Sequence, residues 1–345
     1  MTREISYSQA LYEGFDQLLE SDNSVFVIGQ GLWSPWYVGS TMNDFEKKFG
    51  KDRIIDSPVS ENATTGMAVG AAMLGRKPIV VHPRMDFMLL AMDPIVNQAS
   101  NWSYLFQGEV GVPMVIRSII NRGGEQGAQH SQALQSFFMH VPGIKVVMPS
   151  TPADAKGLLA SAVYDGNPIM FIDDRWCYDS VGHVPEDLEP IPIGKGEILS
   201  EGDDVTIVAN SYLVHESKKA NETLKKKNIS AEIINLRTVK PWDLDLIASS
   251  VSKTKRLIIL DSGWIEGGIA AEIASKISGL FFDVLERPVL RVGLPNAPAP
   301  CSRSLEKVFY PNYSTVIAAT EILFENSAID QIDFPSEAIP GYISF

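Results

Sequence analysis

Glu61 is the first residue whose type and setting could do chemistry. It stands at the mouth of the run ENATTGMAVGAAMLG, where Gly66, Ala68, Gly70, Ala71, Ala72 and Gly75 leave a helix surface nearly bare. Another backbone or a flat ligand can come close to such a helix. A carboxylate held out of water there keeps its proton or seeks a specific donor. The plain alternative is an acid placed at a helix N-terminus to suit the helix dipole. His130 is the second candidate. A loop with Gly123, Gly124 and Gly127 delivers it together with Gln129 and Ser131, a setting that suits acid–base work near neutral pH, with a structural donor as the other reading. The loop is neither a Walker loop nor a dinucleotide fingerprint. Phe87 follows a strand end, where open α/β sheets place ligands, although a lone Phe is more often core.

Alternating strands and helices must position these groups. Ser6 or Ser8 caps a helix whose Leu11, Phe15, Leu18 and Leu19 share one face, and Val25–Ile28 is a buried strand. Trp33, Trp36 and Tyr37 crowd the loop after it, where aromatic residues plug a subunit interface or wall a pocket. A short helix spans 44–49, and strands follow at 78–81, 113–116, 143–148 and 168–172. The segment 82–102 is predicted as one long helix interrupted by Pro94, and another helix begins near Thr151 with Asp154 in its first turn. This alternation means a doubly wound parallel sheet.

Residues 184–196 are rich in Pro and acid and predict an extended connector. A second, smaller α/β unit follows, with strands at 204–208, 231–236, 256–260 and 289–292 and helices at about 215–227, 243–252 and 268–278. In DSGWIEGGIAAEI, paired glycines enter a helix and offer an anion site or close packing. Beyond about Asn326 periodicity fades into an extended tail, with Phe334 and Phe345 as anchors.

The 345 residues suit two domains, and a net charge of −13 argues against nucleic acid or anionic membrane as partners. No apolar run reaches a membrane span, and no signal-peptide core opens the chain. Cys177 and Cys301 are the only cysteines, without metal-ligand spacing, so a reducing cytoplasm is expected.

The stretches KDRIIDSPVSENATTGMAVGAAMLG, AMDPIVNQA, GAQHSQALQSFFMHVPGIKVVMPSTPADAKGLL, NPIMFID, GDDVTIVA and INLRTVKPWD are spread along the chain, and the likeness they anchor runs from Ser6 to about Leu323. Together they resemble the beta subunit of the thiamine-diphosphate-dependent decarboxylase component of 2-oxo acid dehydrogenase complexes, of the pyruvate and branched-chain types within the transketolase-like superfamily. The resemblance implies a pyrimidine-binding domain over residues 1–183, a linker over 184–196, a transketolase C-terminal-like domain over 197–325 and a tail over 326–345. It implies that Glu61 hydrogen-bonds the pyrimidine nitrogen of thiamine diphosphate and favours its reactive tautomer. It also implies that Phe87 lies against that ring, and that His130 serves the developing intermediate and acyl transfer to lipoyl. A structural potassium ion on the main-chain carbonyls of Met114, Ala162, Val163, Asp165 and Asn167 is implied as well.

The Gly-Asp-Gly and Asn segment that grips magnesium in this superfamily is missing. The Mg2+ ligands are therefore expected on an alpha subunit, in an alpha2-beta2 heterotetramer that feeds a lipoyl acyltransferase. Gly29-Gln30-Gly31 stands where many relatives have Gly-Glu-Asp, which puts Gln30 rather than an acid beside the cofactor. Trp33, His82, Arg84 and Gln129 are expected to shape the substrate pocket, with Arg84 on a carboxylate or other anion. The leading expectation is oxidative decarboxylation of a 2-oxo acid with acyl transfer to a lipoyl domain. The alternatives are a split transketolase-like carboligase, a non-oxidative 2-oxo acid decarboxylase, and a catalytically silent scaffold. Glu61, Phe87 and His130 argue against the last.

Overall fold

The structure is a computed structural model that describes residues 3–325 and 340–345. The chain forms two compact units. The first comprises residues up to Arg122, Phe137–Gly194 and Thr238–Pro241; the second comprises Gly123–Ser136, Lys195–Arg237 and the chain from Trp242 onward.

In the first unit, strands β1 (Glu4–Ser6) and β8 (Val181–His183) form a small antiparallel pair. The main sheet uses β2 (Val25–Gly29), β3 (Ile54–Asp56), β4 (Lys77–His82), β5 (Val115–Ile120), β6 (Lys145–Val147) and β7 (Ile169–Asp174). A strand from much later in the chain, Thr238–Lys240, completes it, and the order is Thr238–Lys240, β6, β7, β5, β4, β2, β3. All pairs are parallel except the one between Thr238–Lys240 and β6. Every residue of β5 and β7 is buried, as expected of parallel strands covered on both faces. Pairing passes from β2 to β3 on one side and from β2 to β4 on the other. The strand order thus reverses between β2 and β4, the place where open α/β sheets bind ligands beyond their strand ends.

The helices keep to local rules. Ser6 caps Tyr7–Ser21 by accepting from the Gln9 amide at 3.2 Å. Thr151 and Asp154 form a reciprocal capping box at the start of Pro152–Tyr164. These two helices pack together, and Gly14 lets them close in: a Cβ there would lie 3.3 Å from Leu159. The predicted long helix after β4 is instead broken into an α-turn (Met85–Met88), a 3-10 turn (Leu89–Ala91), a π-helical stretch (Asp93–Ala99) and a last α-helical piece (Ser100–Leu105). Pro94 sits at the start of the π-stretch, where its missing N–H costs least.

The second unit holds β9 (Glu197–Ser200), β10 (Val205–Ala209), β11 (Ala231–Asn235), β13 (Leu257–Trp264), β14 (Leu290–Leu294) and β15 (Tyr342–Ser344); β12 is the Thr238–Lys240 strand above. The order is β15-β14-β13-β10-β11-β9, with antiparallel strands at both edges. The sequence had indicated four of these strands. The last described residues are a paired edge strand rather than a loose tail. Ile343 pairs with Val292, and Arg291 donates to the Phe345 carbonyl at 2.6 Å and to Ser344 Oγ at 3.2 Å. Phe334 lies outside the described residues.

Candidate active site

The candidate residues of the first unit stand beyond the carboxyl ends of its parallel strands. Gln30 follows β2, Glu61 comes after β3, Arg84 and Phe87 follow β4, and Arg175 follows β7. A small cleft is lined by Gln30, Tyr37, Glu61, His82, Pro83, Arg84 and Phe87.

Glu61 is the first residue of the helix Glu61–Met73 and is only 6% exposed. Ser60 gives that helix no side-chain cap, so the acid in the first turn is its one built-in complement to the dipole. Thr64, Thr65, Ala68, Val69 and Ala72 form its buried stripe, whereas Cβ atoms at Gly66 and Gly70 would meet open space. Gln30 Nε2 donates to Glu61 Oε1 at 3.0 Å. The turn carrying Gln30 is fixed from below: Asp56 accepts from the Gly31 amide at 2.7 Å, and Ser57 N–H donates to the Gly29 carbonyl at 2.8 Å. Gly31 has φ +67°, and a Cβ there would lie 2.1 Å from the Tyr37 ring. Glycine at this position is what admits Tyr37 to the cleft.

Phe87 remains 40% exposed although it sits beside a buried acid, so its ring is available to a flat partner. His82 is buried with Nε2 3.3 Å from Thr65 Oγ1, and burial pushes its pKa down to about 4. It is therefore a neutral ring at physiological pH. Arg84 is half-buried; it donates to the Pro83 carbonyl at 2.9 Å, and its Nε is buried with no partner. Burial and the nearby Arg175 guanidinium lower its pKa. Asn121 Nδ2 donates to the same Pro83 carbonyl at 3.1 Å.

Trp33 is not among the residues lining this cleft. Its indole donates to the Ile54 carbonyl at 2.9 Å and lies under the Lys51 ammonium, and Tyr37 rather than Trp33 lines the cleft. Gln129 and His130 belong to the second unit, where the His130 amide donates to the Gly127 carbonyl. Their loop is held by Glu125, which reaches Arg303 at 3.0 Å and whose amide donates to Glu306. It is also held by Gln135, which donates to the buried Asp261 at 2.8 Å. Asp261 lies at the start of Ile269–Leu280 with its pKa raised by burial, and a Cβ on Gly268 would come 2.4 Å from its Oδ2. Gly268 thus accommodates the chain's own carboxylate, whereas a Cβ on Gly267 would meet open space. Sequence reading missed Asp261 and Arg175, although an Arg directly after a buried strand end was the available signal for the second, and it named Tyr37 only as one of three loop aromatics.

Of the residues expected to hold potassium, Ala162 and Val163 lie in the last turn of Pro152–Tyr164, whose carbonyls lack helical partners. The Met114 carbonyl accepts from Ile169 N–H at 3.0 Å, and the Asp165 carboxylate is paired with Lys145. Asn167 lines a larger cavity of about 980 Å3, bounded by 100–108, 142–145, 167–168 and 240–241, whose lining contains no acid. Among the described residues no group of three or more His, Cys, Asp or Glu could hold a metal, and no helix is long and apolar enough to cross a membrane.

A buried acid and an open aromatic ring at the strand-order reversal of one doubly wound unit, with a second α/β unit after it, define a chain of the transketolase type. Residues 3–179 match the transketolase pyrimidine-binding domain and residues 194–316 the transketolase C-terminal domain. The chain is 38% identical to the beta subunit of acetoin:2,6-dichlorophenolindophenol oxidoreductase from Cupriavidus necator, over 92% of this chain and 97% of that one. It is 38% identical to the pyruvate dehydrogenase E1 component subunit beta of Rickettsia felis, over 92% and 98%. A Bacillus subtilis acetoin oxidoreductase beta subunit is 35% identical, over 96% and 100%. Among solved structures, a split-gene transketolase in an inactive beta4 tetramer superposes with a TM-score of 0.75 at 19% identity, over 92% and 97%, a likeness of fold. The chain belongs to the transketolase family, among its beta subunits of the pyruvate dehydrogenase E1 and acetoin oxidoreductase kind.

Proposed function

We propose that this chain is the beta subunit of a thiamine-diphosphate-dependent 2-oxo acid dehydrogenase and supplies the pyrimidine half of its active site. The observation that carries the reading is the buried Glu61, held by Gln30 beside the exposed ring of Phe87. These residues fit an aminopyrimidine: a carboxyl group with one oxygen already engaged, and an aromatic face left open. The chemistry supplied by bound thiamine diphosphate is an electron sink for the carbonyl carbon of a 2-oxo acid. Glu61 holds or shares a proton at the pyrimidine nitrogen, and Gln30 keeps that carboxyl aimed by occupying Oε1. Phe87 covers the ring face. His130 would keep the role that the resemblance implies, stabilising the developing intermediate and helping acyl transfer to lipoyl.

The magnesium ligands belong to an alpha subunit, and the enzyme is an alpha2-beta2 heterotetramer serving a lipoyl acyltransferase in the cytoplasm. Potassium would be held by the carbonyls of Met114, Ala162, Val163, Asp165 and Asn167; oxygen-only ligands suit a hard cation.

The test is reconstitution with an alpha subunit that carries the magnesium-binding segment, followed by carbon dioxide release from 2-oxo acids with 2,6-dichlorophenolindophenol as electron acceptor. Thiamine-diphosphate-dependent release supports the reading. The acetoin oxidoreductase relatives favour one second reading, cleavage of a hydroxy ketone. Dye reduction with acetoin but with no 2-oxo acid would replace the first reading by the second.

A further inference from the structure

The same strand ends carry two guanidinium groups that the reading above leaves unused. Arg84 donates to the Pro83 carbonyl and Arg175 to the Tyr37 carbonyl, so each braces one wall of the Glu61 cleft. The Nε atoms of both are buried without a hydrogen-bond partner, and among the described residues neither arginine has an ion-pair partner.

The rest of this unit treats its buried arginines otherwise. Arg117 is matched to Asp173 at 2.8 Å and Arg122 to Asp174 at 2.7 Å. Arg84 instead feels a second cation, Arg175, against the single nearby carboxylate of Asp86 and the phenols of Tyr37 and Tyr178. Two half-buried like charges with idle donors cost free energy unless an anion joins them. The guanidinium fork is shaped for carboxylate and phosphate oxygens.

We propose that Arg84 and Arg175 together form the receptor for an anionic group, carboxylate or phosphate, that the substrate carries beyond its reacting carbonyl. The inference rests on the 2-oxo acid reading above and narrows its substrate class. Pyruvate carries only the carboxylate that leaves as carbon dioxide, and acetoin carries no anionic group, so neither compound in the relatives' names offers this second anion.

The experiment uses the reconstituted complex with thiamine diphosphate and compares kcat and KM for pyruvate, 2-oxoglutarate and 2-oxo-4-phosphonobutanoate. The wild type is expected to favour one of the charged acids over pyruvate at least about tenfold in kcat/KM, and the favoured one tells carboxylate from phosphate. Arg84→Ala and Arg175→Ala are each expected to cut that preference about 10- to 100-fold, mainly through KM, as for loss of hydrogen bonds to a charged group. Arg84→Lys should recover part of it, because the charge returns without the fork.

Pyruvate as the best substrate with an unchanged ranking in both Ala variants would overturn the inference and leave the enzyme reading intact. Equal losses for all three acids, with weakened cofactor binding by fluorescence titration, would overturn it too, by assigning the arginines to the cofactor or the alpha subunit. If no 2-oxo acid is decarboxylated by a complex that binds cofactor, the enzyme reading falls and takes this inference with it.

Discussion

Glu61→Gln separates the two things an acid at this position can do. The substitution keeps the size of the side chain and removes both the charge and the acidic proton. If Glu61 only complements the dipole of Glu61–Met73, its loss costs about 0.3–1 kcal/mol of stability. For a unit of this size that lowers Tm by at most about 4 °C. Gln30 keeps its contact, because the amide of the new glutamine can present its oxygen where Oε1 stood. If Glu61 also holds a proton for the pyrimidine ring, turnover loses what one preorganised catalytic hydrogen bond supplies elsewhere, about 2.7–4 kcal/mol or 10²- to 10³-fold in kcat. The assays are carbon dioxide release by the reconstituted complex and calorimetric Tm of the variant. The expected result is a deep fall in kcat with a shallow change in Tm. Turnover within about tenfold of wild type would refute the catalytic role, and a Tm drop above about 10 °C would show that the acid is structural.

Other groups give independent checks. His82, with its pKa pushed to about 4 by burial, must gain a proton on unfolding at any pH below the ordinary value of about 6.5. Its contribution is therefore intact above pH 6.5 and is lost as pH falls toward 4, with a limit of about 3 kcal/mol; comparing urea midpoints at pH 7.5 and pH 5 should give a smaller drop for His82→Gln than for wild type. Arg117→Met leaves the buried Asp173 carboxylate without its cation, with the Tyr178 hydroxyl still donating to it, and should cost about 3–5 kcal/mol in urea denaturation. A loss below about 1 kcal/mol would mean the network is relaxed by water. Arg291→Ala removes the hydrogen bonds that tie down Ser344 and Phe345, and amide exchange over 342–344 should speed up while β10 stays protected. Unchanged exchange there would place the hold on Tyr342–Ser344 in the backbone ladder alone.

The parallel core strands were legible in the sequence because each is a run of buried Val and Ile bounded by turn residues, and such a signal is local. Thr238–Lys240 and Tyr342–Ser344 were not legible. Each has three residues, too few to show a period, and each is defined by a partner distant in sequence. The broken segment after β4 reads as a continuous helix by composition, and only its tertiary setting selects the π-stretch around Pro94. In the cleft, Glu61 could be named because it opens a helix and Phe87 because it lies just past a strand end, whereas Gln30, His82 and Arg84 were drawn out by the resemblance, as departures from the family's usual residues. The choice of Tyr37 over Trp33 turns on the backbone at Gly31, where the ring packs against a missing side chain. Composition alone could not rank two aromatic residues four positions apart.

One consequence of strand β12 reaches beyond the site. The first sheet is sealed along β6 by residues translated only after most of the second unit's opening strands and helix have been made. Nicking the 184–196 connector with a protease should therefore leave two polypeptides that still copurify, since the later fragment carries the seam of the earlier one. A gene cut at that connector would instead yield a front piece with a raw margin at β6, prone to recruit strands from its neighbours.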